Sequence, residues 1–297
     1  MAPLATSWRP APLAARGHPP ASLLQFSAIP AGASRGAATR AASSGGAAAG
    51  GTIRLPIFPL SLVALPTADV PLQIFEARYR VLFSTLMAGS EGIDEGLVSA
   101  DKPWAGTRRF GMCFFDPQSK GLASVGTVLE ITQHNCTDDG RILVQTTGRE
   151  RFQILQVVEE RPVMVCDVSP LEEDEDTSPE AAALAEDVAT SFRQVLRLSS
   201  KLRDAPVPSD VSDPEQLQHL GPRELSFWVA SLFAGNPYSQ QALLEESNTL
   251  KRLGAEQELL SSTLKYLSAQ AALQSAFSSG SSSGSDSEGA PPSGGPD

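Results

Sequence analysis

The chain has 297 residues and a formal net charge of −11, with 34 acidic against 23 basic side chains. Recognition of nucleic-acid backbones and of anionic membranes depends on clustered lysine and arginine, so this balance argues against RNA, DNA and membrane surfaces as partners. The three cysteines have no C-x-x-C spacing and support neither a disulfide framework nor a structural zinc site.

Residues 1–51 contain no aspartate or glutamate and are rich in alanine, proline, glycine and serine, with four arginines. This is the composition of an organellar transit peptide. No apolar run in it approaches the ~20 residues that a membrane span needs. Chloroplast and mitochondrial leaders share these features, and we expect a chloroplast presequence, with the mitochondrion as the alternative.

Residues 52–173 are predicted to form a domain of short strands. Gly148-Arg149-Glu150 is interpreted as a hairpin turn, since glycine tolerates positive φ, and Asp138-Asp139-Gly140 as another. Strands at this spacing without βα alternation favour a small antiparallel barrel or sandwich. The predicted strands are Ile53–Phe58, Val70–Ile74, Arg109–Asp116, Ala123–His134, Arg141–Thr147, Phe152–Val158 and Val163–Val168.

One early helix interrupts these strands. Arg78–Met87 carries apolar residues at helical spacing and stops before Gly89. A long polar loop follows over residues 89–107 and contains Trp104 near its end. Because long loops in compact domains are usually functional or mobile, this loop is a candidate for a binding role.

Residues 174–274 are predicted to form an α-helical bundle, entered through a solvated acidic linker at Glu172–Asp176. Residues 275–297 are a serine, glycine and proline tract with almost nothing to bury, and we expect a disordered tail. The helix-start signals are Thr177-Ser178-Pro179-Glu180, Asp213-Pro214, Gly221-Pro222 and Asn236-Pro237, and a last helix is predicted over Ser247–Leu273.

Motifs of catalysis are weak or missing. There is no G-x-x-x-x-G-K-[ST] sequence and no G-x-G-x-x-G after a strand, which argues against a P-loop ATPase and a dinucleotide cofactor. His134 and Cys136 could begin a metal or Cys/His nucleophile site, but no further ligand or orienting partner is evident, and an ordinary loop histidine is the favoured interpretation. We therefore expect no enzyme activity, no cofactor and no metal.

Glu76, Arg78 and Arg80 are charged residues in the otherwise largely apolar segment Ile53–Arg80. An ion pair that fixes the turn into the early helix is favoured over contact with a ligand, because structural ion pairs are common. Contact of these charges with a ligand stays open as the second interpretation, and it makes the surface around them a candidate binding site.

Four ordered motifs resemble the amino-terminal, substrate-binding domain of ATP-dependent Lon proteases. They are LPIFPL at Leu55–Leu60, VPLQIFEARYR at Val70–Arg80, VGTVLEI at Val125–Ile131 and the spaced pattern from Gly140 to Phe152. The resemblance spans roughly Ile53 to Leu267. It implies a PUA-like antiparallel β-barrel followed by a helical bundle, an α+β fold that agrees with the predicted order of elements.

The chain departs from the family pattern in two places. Pro66-Thr67 stands where relatives have a Pro-Gly turn, and Gln73 and Ala77 replace a histidine and a proline. Sequences typical of the ATPase and Ser-Lys protease domains of a full Lon protease are absent. The resemblance thus implies binding without proteolysis in a stand-alone organellar member of the family.

The preferred hypothesis is a non-catalytic module that binds unfolded or peptide-like polypeptide and acts as adaptor or substrate receptor for a separate organellar protease or chaperone. The expected peptide contacts are Phe75, Arg78, Tyr79 and Trp104. Alternatives are a receptor for a small molecule or modified peptide, resembling cereblon, and an enzyme with its site in the barrel mouth. The sequence leaves the oligomeric state open.

Overall fold

The computed structural model describes residues 51–172, 178–203, 220–231 and 236–280. The predicted leader up to residue 50, the acidic run after Glu172, the helix start at Asp213 and the tail beyond Gly280 lie outside these residues. The chain from residue 51 to Glu172 contains all the strands of the described part, and the helices after it pack together beside them.

Five of the six described strands close into a ring. In sheet order the ring runs β5–β4–β3–β1–β6 and returns to β5, while β2 pairs with the first half of β5. The predicted barrel is therefore present. The strands are β1 (Ile53–Leu60), β2 (Asp69–Ile74), β3 (Arg109–Asp116), β4 (Gly121–Cys136), β5 (Ile142–Glu159) and β6 (Met164–Pro170).

The barrel is mixed rather than wholly antiparallel, so that part of the prediction is wrong. β1 pairs parallel to β3, with Ile57 opposite Gly111, whereas the other pairs in the ring are antiparallel. A parallel pair needs a crossover connection. Here the crossover contains β2 and helix α1 (Ala77–Leu86). The alternation of side chains within β1 or β3 gives no information on whether the two strands pair in parallel.

The predicted hairpin turn at Gly148 is also wrong, because β5 runs unbroken through it. The glycine allows a close backbone approach: the Gly148 amide donates to Ala68 O at 2.8 Å, and the Thr67 amide donates to Gly148 O at 2.9 Å. A Cβ on residue 148 would lie 2.1 Å from Leu65 O. By contrast, the turn predicted at Gly140 is confirmed, with φ of 79° between β4 and β5.

The helices after the barrel form the predicted bundle. They are α2 (Pro179–Arg203), α3 (Pro222–Ser231), α4 (Pro237–Glu245) and α5 (Thr249–Gly280), and α5 continues past Leu273, where its sequence pattern ends. Two predicted helix starts are confirmed, and each is capped by a side chain: Ser178 Oγ accepts from the Ala181 amide and Asn236 Oδ1 from the Ser239 amide, each at 3.1 Å. Among the described residues, no helix has the length and apolar character to cross a membrane.

Two buried arginines join the barrel to the bundle. Arg151 on β5 donates through Nη1 to Leu244 O, in the last turn of α4, and to Glu246 O, just past its end, at 2.5 and 3.0 Å. Arg252 on α5 donates to the same Glu246 O at 2.8 Å. Both guanidinium groups lie over the ring of Phe227, at 5.2 and 4.0 Å from its centroid. Cations at a helix C-terminus complement the helix dipole, so the pair stabilises the end of α4 and links the two halves.

Glu256 lies fully buried in the same network. Its Oε1 accepts from Ser226 Oγ at 2.7 Å, and Ser226 Oγ in turn accepts from Arg252 Nε at 2.7 Å. Its Oε2 has no hydrogen-bond partner among the residues that the structure describes. Burial raises the pKa of Glu256 well above its usual range, and the Ser226 hydrogen bond and the Arg252 charge oppose this shift only in part.

We expect Glu256 to make the protein less stable as pH rises. Below the ordinary pKa of 4.5 the carboxyl is protonated in both states; above it the unfolded state loses a proton that the folded state retains, so stability falls until the folded pKa is passed. Between the ordinary pKa and the folded-state pKa, the free energy of unfolding falls by up to about 1.4 kcal/mol per pH unit. Urea unfolding between about pH 5 and pH 9 tests this. Glu256→Gln should remove the decline, and parallel curves for the two proteins would contradict it.

Candidate functional site

A groove of about 330 Å³ opens between α1, the loop over residues 99–104 and the ends of β5 and β6. Its lining is largely apolar, and its volume lies in the range of ligand-binding clefts. The lining residues are Ala77, Arg78, Val81, Leu82, Thr85, Ser99, Lys102, Trp104, Glu159, Pro162, Val163 and Val165.

Helix α1 forms one long side of the groove. Ala77, Val81 and Thr85 recur every four residues and so lie along one face of the helix. At 1.5 Å per residue this face is about 12 Å long, comparable to three or four residues of an extended chain. Val81 is 37% exposed there, so an apolar side chain is open to a ligand.

The loop beside α1 is pinned to the helix by hydrogen bonds. The Thr85 hydroxyl accepts from the Ser99 amide at 3.0 Å and donates to Val81 O at 2.8 Å, and Thr85 O accepts from the Gly106 amide at 2.9 Å. Trp104 packs into the barrel core beneath and borders the groove. These contacts give the groove a preformed wall.

The family profile described as the ATP-dependent protease La (LON) substrate-binding domain matches residues 54–262. The chain belongs to this family. A Lon protease of Brevibacillus choshinensis is 24% identical over 204 residues, and one of Syntrophomonas wolfei is 31% identical over 152 residues. These alignments cover 68% and 51% of this chain, and 24% and 18% of the relatives. The chain thus spans about a quarter or less of these two proteases.

Two solved structures are similar to this chain. A Lon N-terminal domain protein from Xanthomonas campestris has a TM-score of 0.47 at 22% identity, and the N-terminal domain of a Mycobacterium avium complex Lon protease has 0.48 at 17% identity. Each comparison covers 70% of this chain and 98% of the other chain.

The structure places the four expected peptide contacts of this Lon-family chain in different environments. Arg78 and Trp104 line the groove. Phe75 is 67% exposed, just before α1, but does not line it. Tyr79 is buried, and its ring packs edge-on against Phe58 with centroids 4.5 Å apart, so its main contacts are with the core. The groove therefore brings together two of the four.

The favoured ion pair at the start of α1 is present in part. Arg78 and Glu76 approach to 2.9 Å, both about half exposed, and the Arg78 guanidinium also lies 4.5 Å from the Tyr79 ring centroid. Arg80 points elsewhere, since its guanidinium lies beside Gly140. An exposed pair of this kind contributes little to stability, so Arg78 can exchange partners when a ligand enters.

His134 and Cys136 do not form a nucleophile site in the structure. His134 Nε2 donates to a backbone carbonyl, Glu91 O, at 2.9 Å rather than to an acid. Partial burial raises the pKa of the Cys136 thiol, opposite to the shift that activates a nucleophile. In the described part of the chain, no cluster of three or more His, Cys, Asp or Glu side chains could hold a metal ion.

Several groove residues were missed by the sequence reasoning. Glu159, Pro162 and Val163 come from the end of β5 and the approach to β6, about 80 residues after α1 in the chain. No local pattern marks them as neighbours of α1. Val81 could have been found, because it falls off the apolar face of the predicted helix and therefore belongs on its exposed side.

Proposed function

We propose that the chain is a non-catalytic module that binds segments of unfolded polypeptide in the groove along α1. The observation that carries the proposal is the preformed, largely apolar groove bordered by Val81, Trp104 and Val163 in a chain of the Lon substrate-binding domain family. Apolar side chains of an unfolded segment would be withdrawn from water there, and this burial would contribute about 25 cal/mol of favourable free energy per Å² of apolar surface.

We expect Val81→Glu to weaken binding of an unfolded client protein at least about tenfold, because it puts a charge among the apolar side chains of the groove. Binding of fluorescently labelled, reduced and alkylated α-lactalbumin, measured by anisotropy, is the readout. Leu273→Glu is the matched control, since Leu273 is 60% exposed on α5 and does not line the groove. Equal affinities for the two variants would place the binding surface elsewhere.

A role as adaptor for a separate ATP-dependent protease or chaperone is the second part of the proposal. It is supported by the family match, which covers a substrate-binding domain. A chain that begins at residue 52 can be added to a purified organellar ATP-dependent protease and an unfolded client. Faster client degradation with the native chain than with Val81→Glu supports an adaptor role, and identical rates argue against it.

We also propose a plastid location. The acid-free, arginine-containing residues 1–51 are the basis for it. A fluorescent protein fused after residue 51 and imaged in leaf cells distinguishes chloroplast from mitochondrion, and a diffuse signal would exclude both.

A further inference from the structure

The groove along α1 has an uneven distribution of charge. Its side formed by α1 and the loop carries Arg78 and Lys102, whereas the side formed by β5 and β6 carries Glu159. The protein as a whole has a net charge of −11. Two cations on one wall of an apolar groove are therefore a local exception on an acidic protein.

The two cations are not equivalent. Arg78 is already paired with Glu76 at 2.9 Å. Lys102 takes part in none of the ion pairs found among the described residues, and its ammonium group lies 6.0 Å from the centroid of the Trp104 ring. Lys102 is half-buried, so its charge is screened less than that of a fully exposed lysine. Its ammonium is thus the group best placed to meet an anion on a ligand whose apolar part contacts Trp104.

We propose that the groove prefers polypeptide segments in which an aspartate or glutamate lies next to the apolar residues, with the acidic side chain directed to Lys102. The proposal rests on the proposed function, because it specifies which segments the same groove selects. Glu159 gives the preference a direction, since its carboxylate repels an acidic side chain that points to the β5–β6 side. Arg78 can contribute by exchanging Glu76 for the ligand, at small cost.

The groove's size limits the segment that it recognises. A face of about 12 Å along α1 accommodates three or four extended residues. A short apolar core can therefore contact Trp104 while a single acidic residue beside it contacts Lys102.

The test uses three short peptides with the same Leu-Phe-Val core, flanked by glutamate, glutamine or lysine. Their ends are acetylated and amidated, so that only the flanking side chains differ in charge. We expect the glutamate peptide to bind the native chain about two- to fivefold more tightly than the glutamine peptide, as one partly exposed ion pair allows. The lysine peptide should bind most weakly, and added salt should reduce the differences.

Lys102→Glu should reverse the order of the three peptides. Lys265→Glu is the matched control: it makes the same change in net charge at an exposed position on α5, away from the groove, and should keep the native order. Equal binding of the three peptides to the native chain overturns the charge preference but leaves polypeptide binding intact. Reversal by Lys265→Glu also overturns it, since net charge would then decide. No binding of any peptide counts against the proposed function itself.

Discussion

Replacing Arg252 by methionine should destabilise the protein by about 3–5 kcal/mol, because it removes two hydrogen bonds donated by a buried charged group, each of which contributes about 1.5–3 kcal/mol. The side chain is 1% exposed and lies between the two halves of the protein. Methionine retains much of the apolar stem but leaves Ser226 Oγ without its Nε donor and Glu246 O without one of its two arginines. It also ends the contact of the guanidinium with the Phe227 ring.

Urea unfolding at neutral pH, followed by circular dichroism, measures this loss. Lys251→Met is the control, because Lys251 is the exposed neighbour on the same helix and its loss should change stability by less than about 0.5 kcal/mol. Arg252→Lys should recover only part of the stability, since an ammonium group cannot reach both Ser226 and Glu246 with a planar fork. A loss under about 1 kcal/mol in Arg252→Met would show that the network contributes little.

The sequence could not identify this network. Arg252 and Glu256 lie on a helix whose leucines set the apolar pattern, and both types of side chain are almost always found at the surface unless paired. Their partners come from α3 and from the connection between α4 and α5, and that same connection also accepts from Arg151 of β5. Burial of such groups depends on how the barrel packs against the helical bundle. The hydrophobic periodicity of either half does not predict that packing.

Local signals performed better for the elements themselves. Strand β3 begins and ends where it was predicted, and the helix starts beside Ser178 and Asn236 were found because helix-start signals are a short-range feature of the sequence. For the groove, the charges at the start of α1 and the tryptophan of the long loop pointed to Arg78 and Trp104. Tyr79 could have been assigned to the core, since it shares the apolar face of α1 with Leu82.

Gly148 was correctly recognised as a position that requires glycine, but the reason given for it, a hairpin turn, was wrong. Glycine marks two different needs: a backbone with positive φ, or a close approach by another backbone. The sequence around residue 148 suits a hairpin turn as well as a crowded strand. Only the path of the segment 65–68, which crosses β5 at this point, decides between them.

Gly148→Ala should therefore destabilise the barrel by about 3 kcal/mol or more, beyond what glycine replacement costs in an open strand. The added Cβ would lie 2.1 Å from Leu65 O and 3.3 Å from Pro66 Cα. Both are backbone atoms, so the clash cannot be relieved by turning a side chain. Relief requires the segment to move away from β5, which lengthens the hydrogen bonds of Gly148 with Ala68 and Thr67.

Gly254→Ala provides the matched comparison for the same chemical change. Gly254 lies within α5, and a Cβ there would have nothing within 4 Å. Alanine should stabilise that helix by roughly 0.5–1 kcal/mol, through higher helix propensity and a less flexible unfolded chain. Urea unfolding of both variants at neutral pH should thus shift the midpoint in opposite directions. If Gly148→Ala were neutral or stabilising, residue 148 would have to be free to move away from Leu65, and the close approach of the two backbones would not be what selects glycine.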